Sequence, residues 1–336
     1  MSESVQNMLQ AMPSYHTLLG AAYCGNALDL LGQLPDGSVN LVVTSPPFAL
    51  QRQKAYGNKD QAEYIEWLLG FCKVVKEKLR DDGSFVIDLG GAYQKNIPVR
   101  SLYNYRLLIR LCDEVGFHLA EEFFWFNPAK LPSPIEWVNK RKIRAKDSVN
   151  TVWWLSKTEW PNADVRNVLT PYSDRMKKLL ENPGRFYTPA ERPSGHDISD
   201  GFGKDNGGAI PSNLLQISNT SSNGQYESTC KRIGVDRHPA RFPQRLPKFF
   251  IDFLTSPGDV VLDIFAGSNT TGRVAEDCLR RWLAFEIMPE YVGASVFRFH
   301  APASEMECKQ LYEAVRLGGP ISLTAVDKPD LFSTLV

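Results

Sequence analysis

The stretch Thr44-Ser45-Pro46-Pro47-Phe48 combines hydroxyls, two consecutive prolines and an aromatic ring. Proline fixes the backbone and carries no N–H. The pair can therefore present outward-facing carbonyl acceptors in a rigid frame, and the Phe48 ring can stack on a planar base. An exocyclic NH2 on an aromatic heterocycle is a poor nucleophile, because its lone pair is delocalised into the ring. Acceptors on both N–H bonds pull that nitrogen toward tetrahedral geometry and free the lone pair. The Ser45 side chain and the Pro46 carbonyl are the acceptors on offer. Asp88 ends the next recognisable apolar run, Ser84 to Leu89. A carboxylate there can orient the amine or take its proton. Taken singly, a Pro-Pro pair also serves to stiffen a loop, and such an aspartate also serves as a cap or a surface charge.

A second group of residues suits a nucleotide-like ligand. The apolar run Asp259 to Asp263 ends in an acidic residue, and Ile264-Phe265-Ala266-Gly267-Ser268-Asn269-Thr270-Thr271-Gly272 follows. A turn of small residues lets backbone approach a ligand ahead of a helix N-terminus. A further run, Trp282 to Phe285, ends at Glu286, where a carboxylate can accept from both ribose hydroxyls. The loop lacks the G-x-G-x-x-G spacing that a dinucleotide pyrophosphate needs. Its hydroxyls and amide suit S-adenosylmethionine, which has no phosphate. On the α/β pattern alone, a dinucleotide-dependent oxidoreductase stays the alternative. Of the six cysteines, none lies in a C-x-x-C pair, so no zinc or other metal is expected, and they read as reduced packing residues.

These residues need a frame that brings them together. Asn40 to Thr44 reads as a buried strand, Ala62 to Leu79 as a helix stopped by Asp81-Asp82-Gly83, and Ser84 to Leu89 as a strand. Helix Tyr105 to Val115 and strands Leu119 to Phe126 and Val149 to Leu155 follow. Later come helix Leu246 to Leu254, strand Asp259 to Asp263, helix Arg273 to Arg280, strand Trp282 to Phe285 and helix Tyr291 to His300. Alternation of this kind implies an α/β fold, a doubly wound, mostly parallel sheet with helices on both faces. From about Ser156 to His238 the chain is rich in Pro, Gly, Asn and Ser, with one helix expected at Asp174 to Leu180. It reads as an inserted domain rather than a disordered tract, because it keeps Trp160, Tyr172, Phe186, Tyr187, Phe202 and Tyr226.

The resulting division is a flexible N-terminus (1–20), a first half of the main domain (21–155), the insert (156–237), a second half (238–305) and a C-terminal extension (306–336). The chain of 336 residues is 43% hydrophobic, enough for one large core or two moderate ones. Lysine plus arginine and aspartate plus glutamate stand at 38 each, so any nucleic-acid contact must come from one basic face. The run Asn139 to Lys146 holds Lys140, Arg141, Lys142, Arg144 and Lys146; if extended, it forms two stripes of charge suited to phosphates. The first sixteen residues lack the basic and apolar regions of a signal peptide, and no apolar run approaches the ~20 residues of a membrane span. A cytoplasmic protein without membrane contact is expected.

The chain resembles the β-class of amino-DNA methyltransferases, in which the catalytic block precedes the cofactor block. The resemblance covers nearly everything from Tyr23 to about Phe299. It rests on Thr44 to Gln51, Asp82 to Val86, Leu131 to Arg144, Arg192-Pro193-Ser194-Gly195-His196-Asp197 and Asp263-Ile264-Phe265. It implies the methyltransferase fold in circularly permuted order, with S-adenosylmethionine as methyl donor and double-stranded DNA as substrate. Ser45, Pro46, Pro47 and Phe48 would form the target-base pocket, with Asp88 beside it. Asp263, Phe265, Gly267, Ser268, Asn269, Thr270 and Glu286 would hold the cofactor, with His238 and Arg241 near its methionine part. Serine at the head of the S-P-P-F loop points to N4 of cytosine, where Asp or Asn is typical of N6-adenine enzymes; N6-adenine methylation is the alternative.

Asn26 stands where such enzymes usually carry Asp, and it bears on cofactor affinity. A DNA-binding protein that has lost catalysis is a further alternative. The insert would be the target-recognition domain, with Arg192 and His196 as candidate DNA contacts. The partners implied are DNA and a cognate restriction endonuclease, unless the chain is an orphan methylase, and the location is the bacterial nucleoid.

Overall fold

The computed structural model describes residues 5–47, 61–182, 204–219 and 224–323. Within them, strands β1 (Tyr15–His16), β2 (Gly20–Cys24), β3 (Val39–Thr44), β4 (Leu79–Leu89), β5 (His118–Phe126), β6 (Val149–Ser156), β7 (Leu214–Gln216), β8 (Val260–Asp263), β9 (Arg281–Glu286) and β10 (Ile321–Ser322) form one sheet. Its order is β10-β1-β2-β9-β8-β3-β4-β6-β5-β7. The middle strands β2, β9, β8, β3 and β4 run parallel. Their carboxyl ends therefore share one edge, where open α/β sheets bind ligands. Strand β6 is antiparallel to β4, and β5 is antiparallel to β6. The end of β5 and the beginning of β6 are thus brought to that same edge. Strands β8 and β3 are neighbours although more than two hundred residues separate them in sequence, which is the permuted order.

Alternation along the strands builds two cores. Val42, Phe85, Ile87, Trp153 and Leu262 point to one face, under the helices Ala27–Leu31, Gln61–Lys78 and Tyr103–Asp113. Leu41, Val43, Val86, Trp154 and Val261 point to the other, under Gly224–Ile233, Arg245–Leu254, Pro289–Ser295 and Glu305–Arg316. The β-branched runs at β3 and β8 are buried almost throughout, as central parallel strands must be.

Several boundaries differ from expectation. The long helix ends at Lys78, and Asp81-Asp82-Gly83 lies inside β4 instead of terminating a helix. The helix after the glycine loop starts at Thr270, three residues early, because the Asn269 side chain caps it by accepting from Gly272 N at 3.0 Å. The last part of the helix expected over 291–300 is a 3-10 turn, Val296–Arg298. The N-terminal stretch expected to be loose packs from Val5 onward: Val5 and Leu9 join the first core and Tyr15 is fully buried. The basic run is not extended. Glu136–Lys140 is a π-helical turn and Lys142 has a left-handed φ of 55°. Within 156–237, β7 pairs with β5, and Tyr226, Cys230 and Ile233 enter the second core.

Candidate active site

The carboxyl ends of the parallel strands open on a cavity of about 720 Å³. After β3 come Ser45, Pro46 and Pro47; β4 supplies Asp88; after β8 come Phe265, Ser268 and Thr270; β9 supplies Glu286; after β2 comes Asn26. The antiparallel pair adds Asn127 and Lys130 after β5, and Ser148 and Asn150 around the start of β6. Phe48 lies outside the described residues.

One wall is centred on Asp88. Ser45 Oγ donates to Asp88 Oδ2 at 3.1 Å, and Asn150 Nδ2 donates to Asp88 Oδ1 at 3.1 Å. Lys130 Nζ lies 3.5 Å from Asn150 Oδ1. Burial pushes the Asp88 carboxyl up to about 6, against the lowering effect of those two hydrogen bonds and of the nearby Lys130 charge. The group is therefore ionised at neutral pH yet basic enough to take a proton. Because Ser45 gives its hydroxyl hydrogen to Asp88, its oxygen lone pairs are left to accept from a ligand.

The other wall is centred on Glu286. Gly267 N donates to Glu286 Oε2 at 2.8 Å and Met288 N to Oε1 at 2.9 Å. Each oxygen keeps acceptor capacity, and burial raises this carboxyl above its ordinary range. Phe265 is wedged against Trp67 and Phe71, with ring centroids 5.5 and 5.1 Å away. At Gly267, with φ at 52°, an added Cβ would sit 3.0 Å from the His238 ring, so the turn and the close approach both require glycine. His238 and Arg241 line the cavity. Arg241 donates to the His238 carbonyl at 2.7 Å and pairs with Glu227. Asn26 lines the cavity too, with its Oδ1 capping the short helix through Leu28 N at 2.9 Å.

Three expected ligand contacts stand behind the wall instead of in it. Asp263 accepts from Thr44 Oγ1 and Thr271 Oγ1, both at 2.7 Å, and from Phe265 N at 3.1 Å. Gly267 turns its N–H to Glu286. Asn269, with φ at 54°, caps its helix and donates to Tyr15 Oη at 2.9 Å. Of the basic run, Lys140 and Arg141 pair with Glu136 at 3.2 and 3.0 Å, and Arg141 also lies over the Trp137 ring. Arg144 donates to the Pro98 carbonyl at 2.8 Å, and Lys142 is exposed. Arg192 and His196 lie outside the described residues.

The family model described as DNA methylase matches residues 39–297. The chain belongs to that family. The Type II methyltransferase M.PvuII of Proteus hauseri is 62% identical to this methylase over 315 residues, 94% of each chain. The solved structure of the PvuII DNA methyltransferase (cytosine-N4-specific) aligns with a TM-score of 0.78 at 52% identity, covering 95% of this chain and 100% of that one. The Type II methyltransferase M.ScaI of Streptomyces caespitosus is 26% identical over 300 residues, 88% of this chain and 86% of its own.

Sequence reasoning missed several residues of this methylase. Lys130 and Asn150 reach the cavity only because β5 and β6 run antiparallel, and strand direction is not written in an apolar run. Arg298, deeply buried, donates to the Ser268 carbonyl at 2.5 Å and to Ser268 Oγ at 2.8 Å, holding the loop beside Glu286. Burial lowers its guanidinium to about 10, and its charge lies over the Tyr226 ring at 4.7 Å. A lone arginine late in a helical run carries no signal of such a role.

Proposed function

We propose that this chain transfers a methyl group from S-adenosylmethionine to N4 of a flipped cytosine in double-stranded DNA, as the modification half of a restriction–modification system. The observation that carries the reading is that Ser45, Pro46 and Asp88 share one cavity with Glu286, Phe265 and Ser268.

The second wall fits the cofactor. Glu286 offers acceptors for a ribose diol, and Phe265, Phe285 and Ile287 offer apolar surface for an adenine ring. The N–H of Gly272, near the start of the adjoining helix, is taken by Asn269, so it is not aimed at a phosphate. When bound, S-adenosylmethionine supplies an electrophilic methyl on its sulfonium. The chain's own groups do the rest. Ser45 Oγ and the Pro46 carbonyl accept the two N4–H bonds and free the nitrogen lone pair. Methylation leaves N4 with a positive charge and one proton too many. Ser45 takes that proton while its own hydroxyl proton passes to Asp88 Oδ2 along the existing 3.1 Å hydrogen bond. Asp88 then releases it to solvent.

Residues 21–155 serve as the catalytic half, 238–305 as the cofactor half and 156–237 as the recognition segment in this reading. Asn26, Asp263, Gly267, Asn269, Thr270, His238 and Arg241 support or contact the cofactor. Phe48 stacks on the base, and Lys140, Arg141, Lys142 and Arg144 contact phosphates, with Arg192 and His196 contributing on the DNA side. A cognate endonuclease is the natural partner, and the bacterial nucleoid the place of action.

Methylation-aware sequencing of DNA from cells expressing the chain tests the proposal. N4-methylcytosine at one recurrent site is expected. Unmodified DNA, or modification confined to adenine, contradicts it.

A further inference from the structure

The pairing edge of cytosine carries three polar groups: the N4 amine, the N3 acceptor and the O2 acceptor. Ser45, Pro46 and Asp88 serve the amine. The acceptors need donors, because an acceptor shut in a pocket without one loses its hydrogen bond to water. Asn150 has committed one N–H to Asp88. The Asn127 side-chain oxygen accepts from Ala129 N at 3.1 Å, closing its own turn and leaving its amide N–H bonds as neutral donors. Lys130 is the cationic donor. It is half-buried and lines the cavity, and its Nζ makes a long contact of 3.5 Å to Asn150 Oδ1. Among the described residues its ammonium has no carboxylate within ion-pair distance. It keeps N–H donors for a ligand. Its place is also fixed, since Lys146 Nζ donates to the carbonyls of Pro128 and Lys130 at 3.2 and 3.3 Å and holds the turn.

Resting on the reading above, we propose that Lys130 is the specificity residue that donates to O2 of the target cytosine, with Asn150 spacing it from Asp88. The chain Ser45–Asp88–Asn150–Lys130 then runs alongside the pairing edge of the base, with acceptors toward the amine at one end and a cation toward O2 at the other. Adenine presents an amine and a ring nitrogen in the corresponding places but only C2–H where cytosine has O2. A flipped adenine would leave the ammonium desolvated with only its long contact to Asn150 Oδ1. A site built to hydrogen-bond a group rejects an analogue that lacks it far more strongly than an apolar pocket does.

The test replaces the acceptor as well as the donor. Wild-type, Lys130→Met and Lys130→Arg proteins are compared on a duplex carrying cytosine or 2-thiocytosine at the target position; sulfur is the poorer acceptor. Cofactor affinity by calorimetry serves as the check on folding, and Lys130→Gln stands in if the methionine variant fails it. Lys130→Met is expected to lower kcat/KM on cytosine by roughly ten- to hundredfold. The preference of the wild type for cytosine over 2-thiocytosine should collapse in that variant and persist in Lys130→Arg. An equal preference in wild type and Lys130→Met overturns the inference. A wild-type product other than N4-methylcytosine overturns the underlying reading instead, and nucleoside analysis of the same reactions tells the two failures apart.

Discussion

Asp88 and Asp263 make a natural comparison. Both are buried aspartates near or at the carboxyl ends of parallel strands, and burial pushes both carboxyls up to about 6. Their surroundings differ. Asp263 accepts from two threonine hydroxyls at 2.7 Å and from a backbone N–H, and it joins β8 to β3 and to the glycine loop. Asp88 accepts from Ser45 and Asn150 at 3.1 Å, and it faces the cavity. The first is a structural tie between the two halves of the permuted chain. In the proposed reading the second is the reactive group, with longer hydrogen bonds and a face on the cavity. A strand-end aspartate is thus assigned by what its oxygens already hold, since residue type, position and elevated basicity are shared.

The largest effect that could break this comparison is on turnover. Asp88→Ala should lower kcat about 10²- to 10⁴-fold, the range for a lost acid–base group. Its cofactor affinity by calorimetry should stay close to wild type, and unchanged turnover would remove Asp88 from the mechanism. Asp263→Ala should act on stability instead. Leaving the Thr44 and Thr271 hydroxyls and Phe265 N without an acceptor should lower unfolding free energy by about 2–4 kcal/mol, read from the urea midpoint. Glu286→Ala should weaken cofactor binding roughly ten- to hundredfold, the range for a lost hydrogen bond to a charged group, with a smaller effect on single-turnover rate at saturation.

A smaller effect concerns pH. Asp88 must be ionised to take a proton, and its carboxyl is raised to about 6. Activity should therefore be full above that value and fall as pH drops through it. The limb in kcat/KM should move toward lower pH in any variant that exposes Asp88 to water. A limb near the ordinary carboxylate range in the wild type would contradict the assignment.

Much of this arrangement was legible in the residues. The buried runs at β3, β8 and β9 are β-branched or aromatic and end in residues that punctuate a chain, so Ser45, Asp263 and Glu286 could be placed at strand ends. The role of Asp263 was not legible, because nothing in Asp263-Ile264-Phe265 says that Thr44 will arrive beside it. Lys130 and Asn150 were hidden by the antiparallel turn of β5 and β6. Tyr15 was hidden because a short polar N-terminal stretch shows no period, although its hydroxyl accepts from Asn269 and contacts Ser295 Oγ at 2.8 Å. The basic run from Lys140 to Lys146 was legible as charge, but not as pairs with Glu136 or ties to the Pro98 and Pro128 carbonyls.

The central claim is that the wall around Asp88 is built for the exocyclic amine of cytosine. The most direct test incubates the purified chain with labelled S-adenosylmethionine and unmethylated duplex DNA, then digests the DNA to nucleosides. Label in N4-methylcytosine is the predicted result, lost in Asp88→Ala. Label in N6-methyladenine or in 5-methylcytosine would contradict the account.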